Sequence, residues 1–425
     1  MAFLHEHIIL PLSDLLRGEQ IHKHLRLLRE AEMWTPGQMT TFQQKHLHKL
    51  LIHAAAEVPF YKDWLHDHKL NPAEITLERM PIVNKTIMRQ EGIERFSASH
   101  FPINNRIASR SSGSTGEPFS FFVSREASSV NTAAKLRTWY QAGYRLGDRY
   151  MKIANGIRHG KMKTWQDRIN RCLYVPFYSL DDKTLKSILD TIESQHPLYL
   201  RSYPAPLYQL AQYRKAHPGY TYKPRHIFTT GSTLTSAYRN EIERAFGCDI
   251  IDSYSCEGTP NTYETHAHDG YHICGYYGII EVLDDNDQPI TNGIGRVVST
   301  DFWNLAHPFI RYDTQDLVEV SNSQIQRIMG RECDAYFSAG GELYTVHNFS
   351  HYFLFDIKGV NGYQIVRHQD NSVTVNIVVD NGFSKDSTRS IIDFWQPRLG
   401  VPVSVAIVDD IPLLHNNKRL TIINE

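Results

Sequence analysis

The stretch HIFTTGSTLTSAYRNEIERAFGCDIIDSYS, residues 226–255, decides the fold of this chain. His226 to Thr230 is a short run of mainly β-branched and aromatic residues, which reads as a strand. It opens into Gly231-Ser232, where glycine supplies the freedom for a tight turn. Ser236 to Phe246 then reads as a helix, and Asp249 to Ser253 as a second strand. Strand, helix and strand in succession imply a largely parallel sheet. Such sheets carry their ligand loops at the carboxyl edge of the strands.

The rhythm extends in both directions. From Leu185 to Tyr213 a helix, a short strand and another helix alternate, and Phe119 to about Ala142 reads as a strand followed by a long helix. Residues 1–100 read as largely helical. Ile21, Leu25 and Leu28 share one helix face, and Leu47, Leu50, Leu51 and Ala54 repeat that spacing. Pro81 ends an element after Met80. The composition changes after Gly270. Gly278 to Leu283 and Gly295 to Thr300 read as strands separated by the turn residues Asp284 to Asn292. Past a further break near Gly330, Ser372 to Val379 and Val401 to Val408 read as strands, with a helix over Asp386 to Trp395 between them. The last part of the chain is therefore expected to be a small α+β domain. No internal repeat is present.

Bulk properties narrow the function classes. A chain of 425 residues exceeds a typical single domain. The formal net charge of −1 lacks the basic surplus that nucleic-acid binding leaves, so no nucleic-acid partner is expected. Five cysteines (Cys172, Cys248, Cys256, Cys274 and Cys333) are scattered singly, which suits a reduced compartment. The N-terminus has no signal-peptide pattern and no apolar run is long enough for a transmembrane segment. A cytoplasmic location is the expectation.

The chemistry lies in the loops. Four hydroxyl side chains and two glycines fill Ser111-Ser112-Gly113-Ser114-Thr115-Gly116. Successive backbone N–H groups and hydroxyls of such a loop can cradle phosphate oxygens. No Lys follows the second Gly, so this is not a Walker A loop, and a plain solvent loop is the competing reading. Tyr254-Ser255-Cys256-Glu257-Gly258 follows a strand and offers an aromatic face beside a carboxylate. Arg311-Tyr312-Asp313-Thr314-Gln315-Asp316-Leu317 follows a barrel-like region, and Gly330-Arg331-Glu332-Cys333-Asp334 comes after it.

In this fixed order the motifs resemble the adenylate-forming superfamily of acyl- and aryl-CoA ligases. The match is nearest to the phenylacetate-CoA ligase branch, with its capsular-polysaccharide and coenzyme F390 synthetase relatives. The early segments Val58-Pro59-Phe60-Tyr61 and Leu77 to Lys85 also resemble that branch, so the likeness covers nearly the whole chain. The resemblance implies an α/β fold with an additional β-barrel-like region. It places a large N-terminal portion for ATP and the acid at residues 1–330 and a small mobile α+β domain at 331–425. It also implies ATP and Mg²⁺, an acyl-adenylate, release of pyrophosphate and commonly transfer to CoA.

Site roles follow from the same resemblance. Ser111, Ser112, Gly113, Ser114, Thr115 and Gly116 would hold the β- and γ-phosphates. Gly231 and Ser232 would form the adenine-side turn, and Tyr254 would stack on the base. Glu257 would ligate Mg²⁺, which prefers hard oxygen ligands. Asp316 would accept from the ribose hydroxyls, with Arg331 near the ribose and the hinge. Lys418 would bring positive charge to the carboxylate and the α-phosphate. Three positions depart from the pattern: Phe119 stands where many members carry Lys, Cys333 at the hinge carboxylate, and Asn417 at the glycine before the lysine.

Some enzymes of the branch bind structural zinc with cysteines and histidine. Here His266, His268, His272 and Cys274 cluster, but Ser321 to Met329 lacks the downstream cysteine pair. Ordinary loop histidines, without structural zinc, are therefore the expectation. The leading function is an AMP-forming ligase for a small aryl or related carboxylic acid, with CoA or another acceptor. The alternatives are an adenylyltransferase acting on a phenol or sugar, and an inactive ATP-binding scaffold in a polysaccharide biosynthetic assembly. Aromatic and small residues between Tyr199 and Tyr208 are candidates to shape the acceptor pocket.

Overall fold

The structure is a computed structural model describing residues 2–110, 119–155, 161–177, 181–331, 336–338, 343–344, 346–411 and 421–425. Helices dominate its N-terminal part. The helix Ile21–Ala31 buries Ile21, Leu25 and Leu28, which pack with Val130, Ala133 and Ala134 of the helix Arg125–Gln141. The helix Pro36–Glu57 starts at a capping box, in which Gln38 N–H donates to Thr35 and Thr35 N–H donates to Gln38. Two otherwise orphaned donors are thereby satisfied. Its Leu50, Leu51 and Ala54 are buried, and Leu47 packs at the edge of the same core.

The strands before the sheet's parallel part are β1 (Val83–Asn84), β2 (Arg106–Arg110) and β3 (Ser120–Ser124). The parallel part consists of β4 (Tyr150–Asn155), β5 (Cys172–Phe177), β6 (Tyr199–Ser202), β7 (His226–Thr230) and β8 (Asp249–Tyr254). In space they run β8-β7-β6-β4-β5, every neighbouring pair parallel. Ile227, Phe228, Ile250 and Ile251 are fully buried because helices cover both faces. The crossover helix Ser236–Phe246 is capped by Thr235, whose side chain accepts from Tyr238 N–H, and it ends at Gly247 with φ +65°.

Six antiparallel strands continue the same sheet: β9 (Thr262–Glu264), β10 (Tyr271–Ile273), β11 (Gly278–Leu283), β12 (Gly293–Asp301), β13 (Tyr312–Ser321) and β14 (Gln324–Arg331). Their order is β11-β12-β13-β14-β10-β9, joined to β8 through β9, while β1 pairs with β13. The stretch expected to be barrel-like is this antiparallel run, continuous with the parallel strands.

The C-terminal part has its own four-stranded sheet, ordered Val403–Ile407, Val373–Val379, Val360–Arg367 and Ile422–Asn424. Ile391, Trp395 and Leu399 of the helix Lys385–Leu399 pack on Val373, Val375 and Ile377 to give it a separate core. The helix runs a turn past the expected end at Trp395, despite Pro397, and stops at Gly400 with φ +69°. A proline near the end of a helix costs one hydrogen bond, and packing of Leu399 offsets it.

Candidate functional site

A cleft of about 640 Å³ opens at the carboxyl ends of the parallel strands, against the end of β14 and the C-terminal sheet. Gly231 forms its wall directly after β7. It has φ +78°, and a Cβ there would lie 2.7 Å from Cε1 of Tyr203, itself a lining residue. Only glycine allows both the turn and the approach of the aromatic ring. Ser232 lines the cleft beside it. At the end of β8 the chain presents Tyr254, Ser255, Cys256 and Glu257. Gly258 then turns with φ +67°, where a Cβ would meet Cγ of Phe309 at 2.2 Å.

Asp316 and Arg331 reach the cleft from neighbouring strands, as directly paired residues of β13 and β14. The Tyr254 hydroxyl donates to Asp316 Oδ2 at 2.7 Å, and Arg331 Nε lies 3.4 Å from Asp316 Oδ1. Burial, reinforced by the Asp316 charge, pushes the Tyr254 hydroxyl well above its usual range, so it remains a donor. The Cys256 thiol donates to Glu257 Oε2 at 3.0 Å. Burial and the Glu257 charge likewise hold that thiol protonated. Glu257 lines the cleft, and among the described residues its Oε1 accepts no hydrogen bond. The donor set suits Mg²⁺, an ion usually held by one or two carboxylates plus phosphate oxygens.

The rest of the Arg311-to-Leu317 motif is architectural. Arg311 grips Glu281 through two hydrogen bonds of 3.1 and 3.2 Å, and Asp313 accepts from Arg296 at 3.2 Å. Gln315 has φ +59°, and Asp316 N–H donates to Thr314 Oγ1 at 3.1 Å. These contacts aim Asp316 into the cleft.

Gly231, Ser232, Tyr254, Glu257, Asp316 and Arg331 are thus brought to one cavity. Ser111 to Gly116, Cys333 and Asp334, and Asn417 and Lys418 lie outside the described residues. Ser109, just before the first group, and Thr421, just after the last, both line the cleft. Phe119 is a core residue, buried with Phe121 and Tyr312. Of the proposed pocket segment, Tyr203, Ala205 and Pro206 line the cleft, while Tyr199 and Tyr208 sit in cores. His268 pairs with Glu264 at 3.8 Å and His272 with Asp269 at 3.0 Å, while Cys274 is half-buried and its backbone N–H donates to the Asn261 carbonyl at 3.0 Å.

Two groups escaped the sequence reading. Lys85, on the helix Lys85–Glu91 that follows β1, lies where the charges of Arg331 and Glu257 act on it. Burial lowers its pKa, Arg331 adds to the drop and Glu257 opposes it. Asp301, at the end of β12, lines the cleft while nearly fully buried, and burial pushes its carboxyl up to about 7. Lys85 closes the Leu77-to-Lys85 segment without a role of its own and Asp301 belongs to no motif, so only the tertiary structure reveals their place.

No protein-family model matches the chain. It is 23% identical over 387 residues to protein CapK of Staphylococcus aureus, covering 86% of this chain and 83% of that one. Among solved structures it is similar to 2-hydroxyisobutyryl-CoA ligase in its postadenylation state with R3-HIB-AMP. There the TM-score is 0.73 at 16% identity, over 92% of this chain and 90% of the other. Against the same ligase in its thioesterification state with 2-HIB-AMP and CoA the TM-score is 0.60 over 92% of this chain. The anthranilate-CoA ligase AuaEII with anthranoyl-AMP gives 0.56 at 17% identity, over 74% of this chain and 64% of the other. The likeness spans up to 92% of the chain, so the chain has the fold of the adenylate-forming ligases.

Proposed function

We propose that this protein is an ATP-dependent, AMP-forming ligase that activates a carboxylic acid as an acyl-adenylate and passes the acyl group to CoA. The observation that carries the reading is the convergence of Gly231, Ser232, Tyr254, Glu257, Asp316 and Arg331 on one cleft. Those six positions come from four separate segments of the chain, and a shared cavity is what nucleotide binding demands of them. The ligands of the similar enzymes, acyl-AMP and CoA, support the same reaction class.

Tyr254 offers its ring to adenine, while Asp316, fixed by Tyr254 and Arg331, accepts from the ribose hydroxyls. Ser111 to Gly116 hold the outer phosphates. Glu257 would hold Mg²⁺, which when bound neutralises charge on the departing pyrophosphate. The substrate carboxylate attacks the α-phosphorus, the bond to the bridging oxygen breaks and pyrophosphate leaves with that electron pair. Lys418 from the C-terminal part and Lys85 from the N-terminal part place positive charge around this centre. The CoA thiolate then attacks the acyl carbonyl and AMP leaves.

Residues 331–425 form the mobile domain of this proposal, with Arg331 at its border. The similar ligase adopts both a postadenylation and a thioesterification state, which supports a second position of that domain for thioester formation. Phe121, Phe309, Tyr203 and Tyr277 around the cleft support an aryl acid. A cytoplasmic setting rests on the scattered single cysteines, and a place in capsular-polysaccharide synthesis on the branch resemblance; both are parts of the proposal.

ATP–Mg²⁺ binding to the purified protein and pyrophosphate–ATP isotope exchange over a panel of acids test the reading. Acid-dependent exchange is expected. Folded protein that does not bind ATP–Mg²⁺ would refute it, and hydroxylamine capture of an acyl group separates it from nucleotide transfer to a phenol or sugar.

A further inference from the structure

We propose a divalent-metal site at the edge of the sheet opposite the cleft, held by His226, Asp249 and His266. It is independent of the ligase reading. His226 and Asp249 are the first residues of β7 and β8 and are directly paired in the parallel ladder. The cleft lies at the other ends of these strands. β9 runs antiparallel to β8, so the chain beyond Glu264 returns to the amino-terminal edge and delivers His266 there.

One ligand atom from each of the three side chains lies within 4.8 Å of the others. The His226 and His266 rings have centroids 4.5 Å apart at an interplanar angle of 59°. Donors sharing one zinc ion at about 2.1 Å stand about 3.4 Å apart, so modest rotations of exposed Asp249 and His266 complete the set. A second observation points the same way. The Nδ1 atom of His226 is buried and makes no hydrogen bond of good geometry among the described residues, although the Asp249 backbone and the His266 ring both act on that imidazole. Buried polar atoms are seldom left so, and a metal ion is one of the few partners an imidazole nitrogen can take.

Two imidazole nitrogens with one carboxylate oxygen favour a zinc-class ion over Mg²⁺ or Ca²⁺, which take oxygen ligands. Water would fill the remaining positions. Sequence spacing draws attention to His266, His268, His272 and Cys274, which are neighbours in the chain. The structure selects His266 alone of these and supplies its partners from two other strands. An ion here would pin the loop between β9 and β10 to the β7–β8 edge, where the parallel and antiparallel parts of the sheet meet.

The test uses the full-length protein, stripped with a chelator and titrated with Zn²⁺ against a chromophoric competitor. His266→Ala and Asp249→Asn are compared with the wild type, and matching metal-free Tm values establish that all three are folded. The wild type should bind one Zn²⁺ per chain above the weak background of its 22 histidines. Each variant should lose at least about tenfold in that affinity, since even outer-shell partners of a metal ligand cost as much. Zn²⁺ should raise the wild-type Tm and leave the variants unmoved. Equal Zn²⁺ affinity and equal Tm response in all three proteins would overturn the site, as would absence of a stoichiometric ion in the wild type.

Discussion

Asp316 is held from two sides, by the Tyr254 hydroxyl and the Arg331 guanidinium, and so presents a fixed carboxylate to the cleft. Glu257 differs, because among the described residues only its Oε2 accepts a hydrogen bond, and on the proposed reading Oε1 takes the metal. Glu257→Gln keeps the shape and removes the charge. Single-turnover adenylation should fall by about 100-fold, on the scale of losing one electrostatic contact to a transition state, with Tm little changed. Wild-type turnover in that variant would remove Glu257 from the reaction. Gly231→Ala places a side chain at φ +78° against Tyr203. It should destabilise the protein by about 1–2 kcal/mol and weaken ATP binding, measured by denaturant unfolding and calorimetry. Asp301 gives a pH signature. Its proton is held in the folded state up to about 7 but is lost near 3.8 from the unfolded chain. Its stabilising effect is therefore complete below about pH 4 and disappears as pH rises through 7. Between those limits the wild type should lose a few kcal/mol more than Asp301→Asn, read from unfolding curves at each pH. Parallel curves for the two proteins would show that Asp301 titrates normally.

At the scale of elements, the parallel strands and their crossover helix were legible because each carries several agreeing signals. His226 to Thr230 is apolar and β-branched, Thr235 caps the next helix, and Gly247 ends it. Thr235→Ala removes the acceptor for Tyr238 N–H and should cost about 1 kcal/mol in denaturant unfolding. An unchanged midpoint would mean that water replaces the cap without loss. The helix Lys385–Leu399 was read short because its last turn is held by tertiary packing of Leu399, which no local pattern records. The site divides in the same way. Gly231, Tyr254, Glu257 and Asp316 stand in ordered motifs beside strands, so the sequence order exposes them. Lys85, Asp301 and the partners of His266 come from distant segments, and only the sheet topology joins them.

The whole molecule sets a cleft between an N-terminal sheet, which supplies most of its wall, and a C-terminal part that contributes Val346, Tyr363 and Thr421. On the proposed reading the C-terminal part brings Lys418 in for adenylation and then turns. Lys418→Ala should therefore bind ATP close to normally, with acyl-adenylate formation slowed by at least about 100-fold. Adenylation at the wild-type rate would rule out its catalytic role. The most direct test of the central claim is mass spectrometry of single-turnover mixtures of purified protein, ATP–Mg²⁺ and a panel of aryl and alkyl acids, with and without CoA. The account predicts an acyl-AMP that accumulates without CoA and becomes an acyl-CoA when CoA is added. An acyl-AMP never consumed by CoA, or a nucleotide ester formed directly on a phenol or sugar, would contradict it.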